Sequence, residues 1–144
     1  MISCTEFIPA YSEGFKFIDE KKGRREVEKF WRYLSDLYVK DRLGRLVSDE
    51  GLEGCFTYWS QALNEEAADF KMVFDGIKGE FRSVMRRCPS KGMLLALKHM
   101  EPYRSYCDHC PALYSPVLEK YGYKYKKDMS NIHKASCSGV IKAG

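Results

Sequence analysis

The sequence predicts an α+β fold in which N-terminal helices pack against a small antiparallel sheet of about four strands. Apolar residues recur at intervals of three and four over residues 24–42 and 52–67, which is the period of an amphipathic helix. Over residues 69–88 the period shortens to two around a glycine-containing loop, as in a β-hairpin. We therefore expect one domain, with residues 1–68 mainly helical and residues 69–144 forming the α+β part.

The N-terminal helices are expected to supply most of the core. A short helix over residues 9–22 precedes the clearest helical pattern, that of residues 24–42. The buried face predicted for this longer helix consists of Val27, Phe30, Trp31, Leu34, Leu37 and Tyr38. In the next helix, Cys55 shares the apolar face and is interpreted as a small buried hydrophobic residue.

The C-terminal half is predicted to mix short helices with strands. A short apolar helix is expected over residues 93–100. Pro111 suits the first position of a further helix and would place Cys110 at its N-cap. Pro116 argues against a single unbroken helix at that point. A third strand is predicted where Tyr123 and Tyr125 alternate with Lys124 and Lys126. A fourth strand is predicted from Ser136 to Lys142.

The composition is typical of a soluble globular protein, with 44% hydrophobic and 31% charged residues in a chain of 144. No apolar run approaches the ~18 residues that a membrane span requires, so a membrane role is not expected. The N-terminus lacks the basic and apolar regions of a secretion signal, which indicates a cytoplasmic protein. In that compartment the six cysteines are expected to stay reduced.

Charge is distributed unevenly along the chain. Residues 1–79 carry a net charge of −3 and residues 80–144 carry +7. The basic half could simply form a solvated face, or it could create a positive field that favours thiolates and anionic ligands. Because there is no compact basic run and no nucleic-acid-binding motif, nucleic acid is a disfavoured partner. A small anionic molecule is the preferred partner.

Titratable and sulfur-containing side chains concentrate between residues 88 and 137. The centre of this cluster is the stretch Tyr106-Cys107-Asp108-His109-Cys110-Pro111. Cys88 precedes it at the end of the predicted hairpin, and Cys137 follows it on the last predicted strand. His133 lies four residues before Cys137.

One hypothesis for this cluster is a metal site. The pair Cys107 and Cys110 together with His133 and Cys137 has the two-plus-two arrangement that holds tetrahedral zinc. Alternatively, Cys88, Cys107, Cys110 and Cys137 could hold zinc or an iron–sulfur cluster. Either site would organise a domain without hydrolytic activity.

A second hypothesis is thiol chemistry. Cys107 and Cys110 border His109 in the basic half and flank a predicted helix start, so both have reasons for a lowered pKa. Such a thiolate could attack carbon or exchange disulfides. A structural role for both thiols stays open, as does a small-molecule binding module lined by Tyr103, Tyr106, Tyr123 and Tyr125.

The C-terminal half also resembles the L-2-amino-thiazoline-4-carboxylic acid hydrolase-like family. The matching features are Arg87-Cys88-Pro89, Tyr106-Cys107, the segment Leu118-Glu119-Lys120-Tyr121-Gly122-Tyr123 and Cys137 on a terminal strand. This resemblance implies hydrolytic opening of a small cyclic amidine-like acid at a site that contains thiols.

The preferred hypothesis is accordingly a small hydrolase-like enzyme that acts on a C–N bond of a small anionic molecule. Its candidate catalytic residues are Cys88, Cys107, Cys110, His109, His133 and Cys137, with Cys107 and Cys88 as nucleophile candidates and either histidine as acid or base. The candidate substrate-binding residues are Arg86, Arg87 and Tyr106. No cofactor is assigned beyond the zinc or iron–sulfur alternative.

Overall fold

The computed structural model describes residues 4–65 and 68–144, and the expected α+β fold is confirmed. The helices are α1 (Cys4–Lys22), α2 (Arg24–Leu34), α3 (Lys40–Glu50), α4 (Leu52–Glu65), α5 (Pro89–Ala96) and α6 (His109–Glu119). The strands are β1 (Asp69–Asp75), β2 (Glu80–Arg87), β3 (Tyr123–Asp128) and β4 (Cys137–Ala143). All neighbouring strands are antiparallel, in the order β1-β2-β4-β3.

A single turn of π-helix, Ser35–Val39, joins α2 to α3. Because of this turn, the buried face differs from the one that the sequence pattern predicts. The extra residue in this turn rotates the helix surface, so that Ser35 and Val39 are buried. Leu37 and Tyr38, which the sequence pattern places in the core, are 59% and 47% exposed. The Ser35 hydroxyl donates a hydrogen bond of 2.6 Å to the carbonyl of Leu113, which fixes this turn against α6.

Helices α4 and α6 cover one face of the sheet. Phe81 and Ile141 pair across the two central strands and are almost fully buried beneath these helices. Alternate residues of the strands point the other way and are largely charged, as expected for a half-covered antiparallel sheet. Cys55 lies on α4 with no exposed surface, which confirms its interpretation as a core residue.

Three expectations for the helices of the C-terminal half are wrong. Helix α5 begins at Pro89, with Cys88 as its N-cap, rather than at residue 93. A 3-10 turn, Tyr106–Asp108, runs directly into α6, so Cys110 lies inside the first helical turn and is not the N-cap. Pro116 is also accommodated within α6, which runs unbroken to Glu119.

A second buried cluster ties α1 to this region. Phe15 makes edge-on contacts with Trp31 and Tyr103 and packs close to His109. The backbone N–H of Tyr103 donates to the buried Ser12 hydroxyl at 2.8 Å. Within the described parts of the chain, no helix combines the length and apolar character needed to cross a membrane.

Candidate thiol site

Four of the predicted thiols line one cavity of about 170 Å³. The cavity lies between the covered face of the sheet, helix α4, the start of α5 and the turn leading into α6. Its thiols are Cys88, Cys107, Cys110 and Cys137. A single water molecule needs about 10–15 Å³ of such cavity volume, so the cavity has room for a small organic molecule.

The structure divides the other predicted site residues into two groups. His109 and Tyr106 line the cavity with the thiols. His133 is exposed on a 3-10 turn and does not line it. Arg86 and Arg87 are also exposed and lie outside it, and Arg86 instead forms an ion pair with Asp69 at 2.7 Å.

The local sequence places a histidine and a thiol side by side. At the start of α6, the imidazole Nδ1 of His109 contacts the carbonyl oxygen of Tyr106 in the preceding 3-10 turn. Because a carbonyl can only accept, Nδ1 carries the hydrogen and donates it. The other ring nitrogen, Nε2, is then left to face the sulfur of Cys110, 3.7 Å away. The carbonyl that orients the base, the base and the thiol thus all lie within residues 106–110.

The charges around Cys110 favour its thiolate. Burial by itself would raise its pKa, but the His109 imidazole and the Lys127 ammonium outweigh burial and lower it to about 6. For His109, burial acts to lower the pKa, whereas Cys110 and the Tyr106 carbonyl raise it and the net shift is upward. The pair is therefore expected to exist as thiolate and imidazolium near neutral pH.

Burial disfavours the thiolate form of the other three cavity thiols. Burial raises the pKa of Cys107 to about 11, despite the nearby lysines Lys91 and Lys127. Burial also raises the pKa of Cys88, although its sulfur accepts a hydrogen bond of 3.4 Å from the Lys91 backbone. The pKa of Cys137 is raised by burial as well. The expectation that Cys107 would share a lowered pKa with Cys110 is therefore wrong.

Sequence reasoning missed Lys127, which together with His109 lowers the pKa of Cys110. It lies on β3 on the same face as Tyr123 and Tyr125. The alternation that predicted this strand contains the signal, since it continues for one further pair of residues. The interaction with Cys110 raises the pKa of Lys127 despite its burial, so the ammonium stays charged.

A glycine in the cavity wall makes room for the ring of Tyr125. A β-carbon at Gly139 on β4 would lie 2.9 Å from the ring of Tyr125 and 3.2 Å from the hydroxyl oxygen of Ser83. Only a residue without a side chain lets that ring lie across the strand, beside the thiols. The residues Ser83, Tyr125 and Gly139 all line the cavity.

Removing the Lys127 charge should make Cys110 less acidic. We expect Lys127→Met to raise the pKa of Cys110, because an opposite charge this close shifts a pKa by ~1–3 units. At pH 6 the rate of alkylation of Cys110 should then fall at least about fivefold. The measurement is iodoacetamide labelling as a function of pH. Lys126→Met is the matched control, since Lys126 is exposed on the opposite face of β3; an equal effect of both variants would contradict the assignment.

The cavity does not present the predicted metal-ligand sets. Over residues 4–65 and 68–144, no group of three or more His, Cys, Asp or Glu side chains is arranged to hold a metal ion. The set of Cys107, Cys110, His133 and Cys137 is disrupted because His133 lies outside the cavity. The four thiols share a cavity but are not gathered around one point.

Asp108 and Tyr103, which lie near the thiols in sequence, make contacts that stabilise the fold. The carboxylate of Asp108 forms an ion pair of 3.1 Å with Arg24 and so ties the turn before α6 to α2. The hydroxyl of Tyr103, which belongs to the second buried cluster, donates a hydrogen bond of 2.8 Å to Asp19. Of the four tyrosines proposed to line a binding module, Tyr106 and Tyr125 line the cavity.

Comparisons of the chain with models of protein families, with curated protein sequences and with solved structures gave no match.

Proposed function

We propose that the protein is a thiol-dependent hydrolase that opens a C–N bond of a small anionic molecule, with Cys110 as the nucleophile. The observation that carries this proposal is the pairing of the Cys110 sulfur with Nε2 of His109 at 3.7 Å on the wall of a small cavity. A nucleophile in contact with an oriented base is the arrangement that covalent catalysis requires.

The charge of the cavity supports an anionic substrate. Lys91 and Lys127 line it, and among the described residues of its wall there is no aspartate or glutamate. A carboxylate on the substrate would be attracted by these ammonium groups, which take the role that the sequence assigned to Arg86 and Arg87. The resemblance of the C-terminal half to hydrolases of a cyclic amidine-like acid agrees with such a substrate.

The proposed reaction has two stages. The Cys110 thiolate attacks the carbon of the substrate C–N group, and a carbon–sulfur bond forms. The His109 imidazolium then gives its proton to the departing nitrogen as the C–N bond breaks. In the second stage neutral His109 takes a proton from water, whose oxygen attacks the same carbon, and the Cys110 thiolate is released.

An assay on 2-amino-thiazoline-4-carboxylate, beside the same ring without its carboxylate, tests this proposal. We expect the protein to open the acid and to be much slower on the neutral ring. His109→Ala should lower the rate by about 10²-fold or more, the usual contribution of a general acid or base. Cys110→Ser should abolish turnover.

His133→Ala is the matched control, because His133 is exposed and lies outside the cavity. It should hydrolyse like the unaltered protein. Normal turnover by Cys110→Ser, or an equal loss in both histidine variants, would contradict the proposed nucleophile and base. Absence of ring opening in the unaltered protein would contradict the proposed substrate class.

A further inference from the structure

We propose that the same cavity also reduces small hydroperoxides, with Cys110 as the thiol that attacks the peroxide and Cys107 as the thiol that resolves it. The two residues are separated by two positions and both line the cavity. Their placement at one end of α6 gives the chain a dithiol that needs no large rearrangement to close. This activity depends on the Cys110 thiolate, as the proposed hydrolysis does, but not on hydrolysis itself.

The backbone geometry suits a Cys107–Cys110 disulfide. The 3-10 turn that contains Cys107 continues into the helical turn that contains Cys110. Residues three apart in such a turn have α-carbons about 5 Å apart, within the ~4.4–6.8 Å that a disulfide allows. The charge of Cys110 also raises the pKa of Cys107, so the two sulfurs interact electrostatically.

The first step consumes one hydroperoxide. The Cys110 thiolate attacks the outer oxygen of R–O–O–H, a sulfur–oxygen bond forms, and the O–O bond breaks. Sulfur is oxidised to a sulfenic acid, and the peroxide is reduced to an alkoxide. Nε2 of His109 lies 3.7 Å from the Cys110 sulfur, and Lys127 lines the same cavity and lowers the pKa of that thiol, so either group can stabilise or protonate the alkoxide as it leaves.

The second step closes the disulfide. The sulfur of Cys107 attacks the sulfur of the Cys110 sulfenic acid, and the hydroxyl leaves as water with the proton from Cys107. An external dithiol then restores both thiols by disulfide exchange. Cys88 and Cys137 line the same cavity, so the identity of the resolving thiol can be tested directly against them.

The test uses the full-length reduced protein and one equivalent of hydrogen peroxide or tert-butyl hydroperoxide. Peptide mass spectrometry should find a Cys107–Cys110 disulfide, formed with loss of two hydrogens and reversed by dithiothreitol. Peroxide should be consumed at least about tenfold faster than by glutathione, because Cys110 is largely thiolate at neutral pH. In Cys107→Ser the oxidised form should stop at a sulfenic acid that dimedone traps.

Several results would overturn the proposal. These are peroxide consumption no faster than that of glutathione, a disulfide that pairs Cys110 with Cys88 or Cys137, and oxidation of Cys110 in the unaltered protein to sulfinic acid. The disulfide and the rate of peroxide consumption are measured on the unaltered protein, so the test does not depend on the folding of a variant. A protein that forms the disulfide but opens no cyclic amidine would contradict only the proposed hydrolysis.

Discussion

Iodoacetamide is expected to alkylate Cys110 before any other thiol of the cavity, with a midpoint in the pH profile near 6. At that pH about half of the Cys110 side chains are thiolate. Cys107 has a pKa of about 11, so only about one in 10⁵ of its side chains is thiolate. The thiolate of lower pKa is intrinsically less nucleophilic, which reduces the advantage. A ratio of about 10²-fold or more in favour of Cys110 should remain.

Peptide mass spectrometry after timed labelling measures this ratio within one sample. Cys55 is the internal control, since burial in the core raises its pKa to about 12 and leaves it no exposed surface. It should label only when the protein unfolds. Faster labelling of Cys107, or a Cys110 midpoint at or above the free-thiol ~8.5, would remove the thiolate–imidazolium pair on which both proposals depend.

The architecture could be predicted because its signals are local. Period-two alternation marks β1 and β2, and the three- and four-residue spacing marks α4. The π-turn could not be found this way, because periodicity assumes an uninterrupted α-helix. One extra residue at Ser35–Val39 is enough to replace Leu37 and Tyr38 by Val39 on the buried face.

The site was predictable in part for the same reason. His109 and Cys110 are neighbours in sequence, so their contact could be anticipated without knowing the fold. Whether Cys107 or Cys110 is the acidic thiol depends on Lys127, which reaches the cavity from a different element. That choice is set by tertiary packing and not by the motif.

For the two arginines, closeness in sequence to a cavity thiol did not place the side chains in the cavity. Arg86 and Arg87 are predicted to bind a substrate carboxylate, but the pairing of β2 with β1 shifts register at this point. A register irregularity of this kind changes the direction of nearby side chains. Met85 lines the cavity, so alternation along β2 directs Arg86 to the opposite face of the sheet, where it pairs with Asp69. Arg87, at the register shift, is exposed as well, and neither arginine lines the cavity.

The same substitution should have opposite effects on stability at two helical glycines. Gly54, in the first turns of α4, is buried where α4 meets α3, and a β-carbon there would lie 2.3 Å from the carbonyl oxygen of Leu46. Because the obstacle is backbone, no rotamer change can relieve it and the helices must move apart. Gly54→Ala should therefore lower the free energy of unfolding by about 3 kcal/mol or more, at the upper end of overpacking costs.

Gly14 is the matched control, an exposed glycine in α1 with no atom within 4 Å of the added β-carbon. Gly14→Ala should raise the free energy of unfolding by about 0.5–1 kcal/mol through helix propensity. Urea denaturation followed by circular dichroism measures both variants. A loss below about 1 kcal/mol at Gly54 would mean that α3 and α4 are farther apart than described.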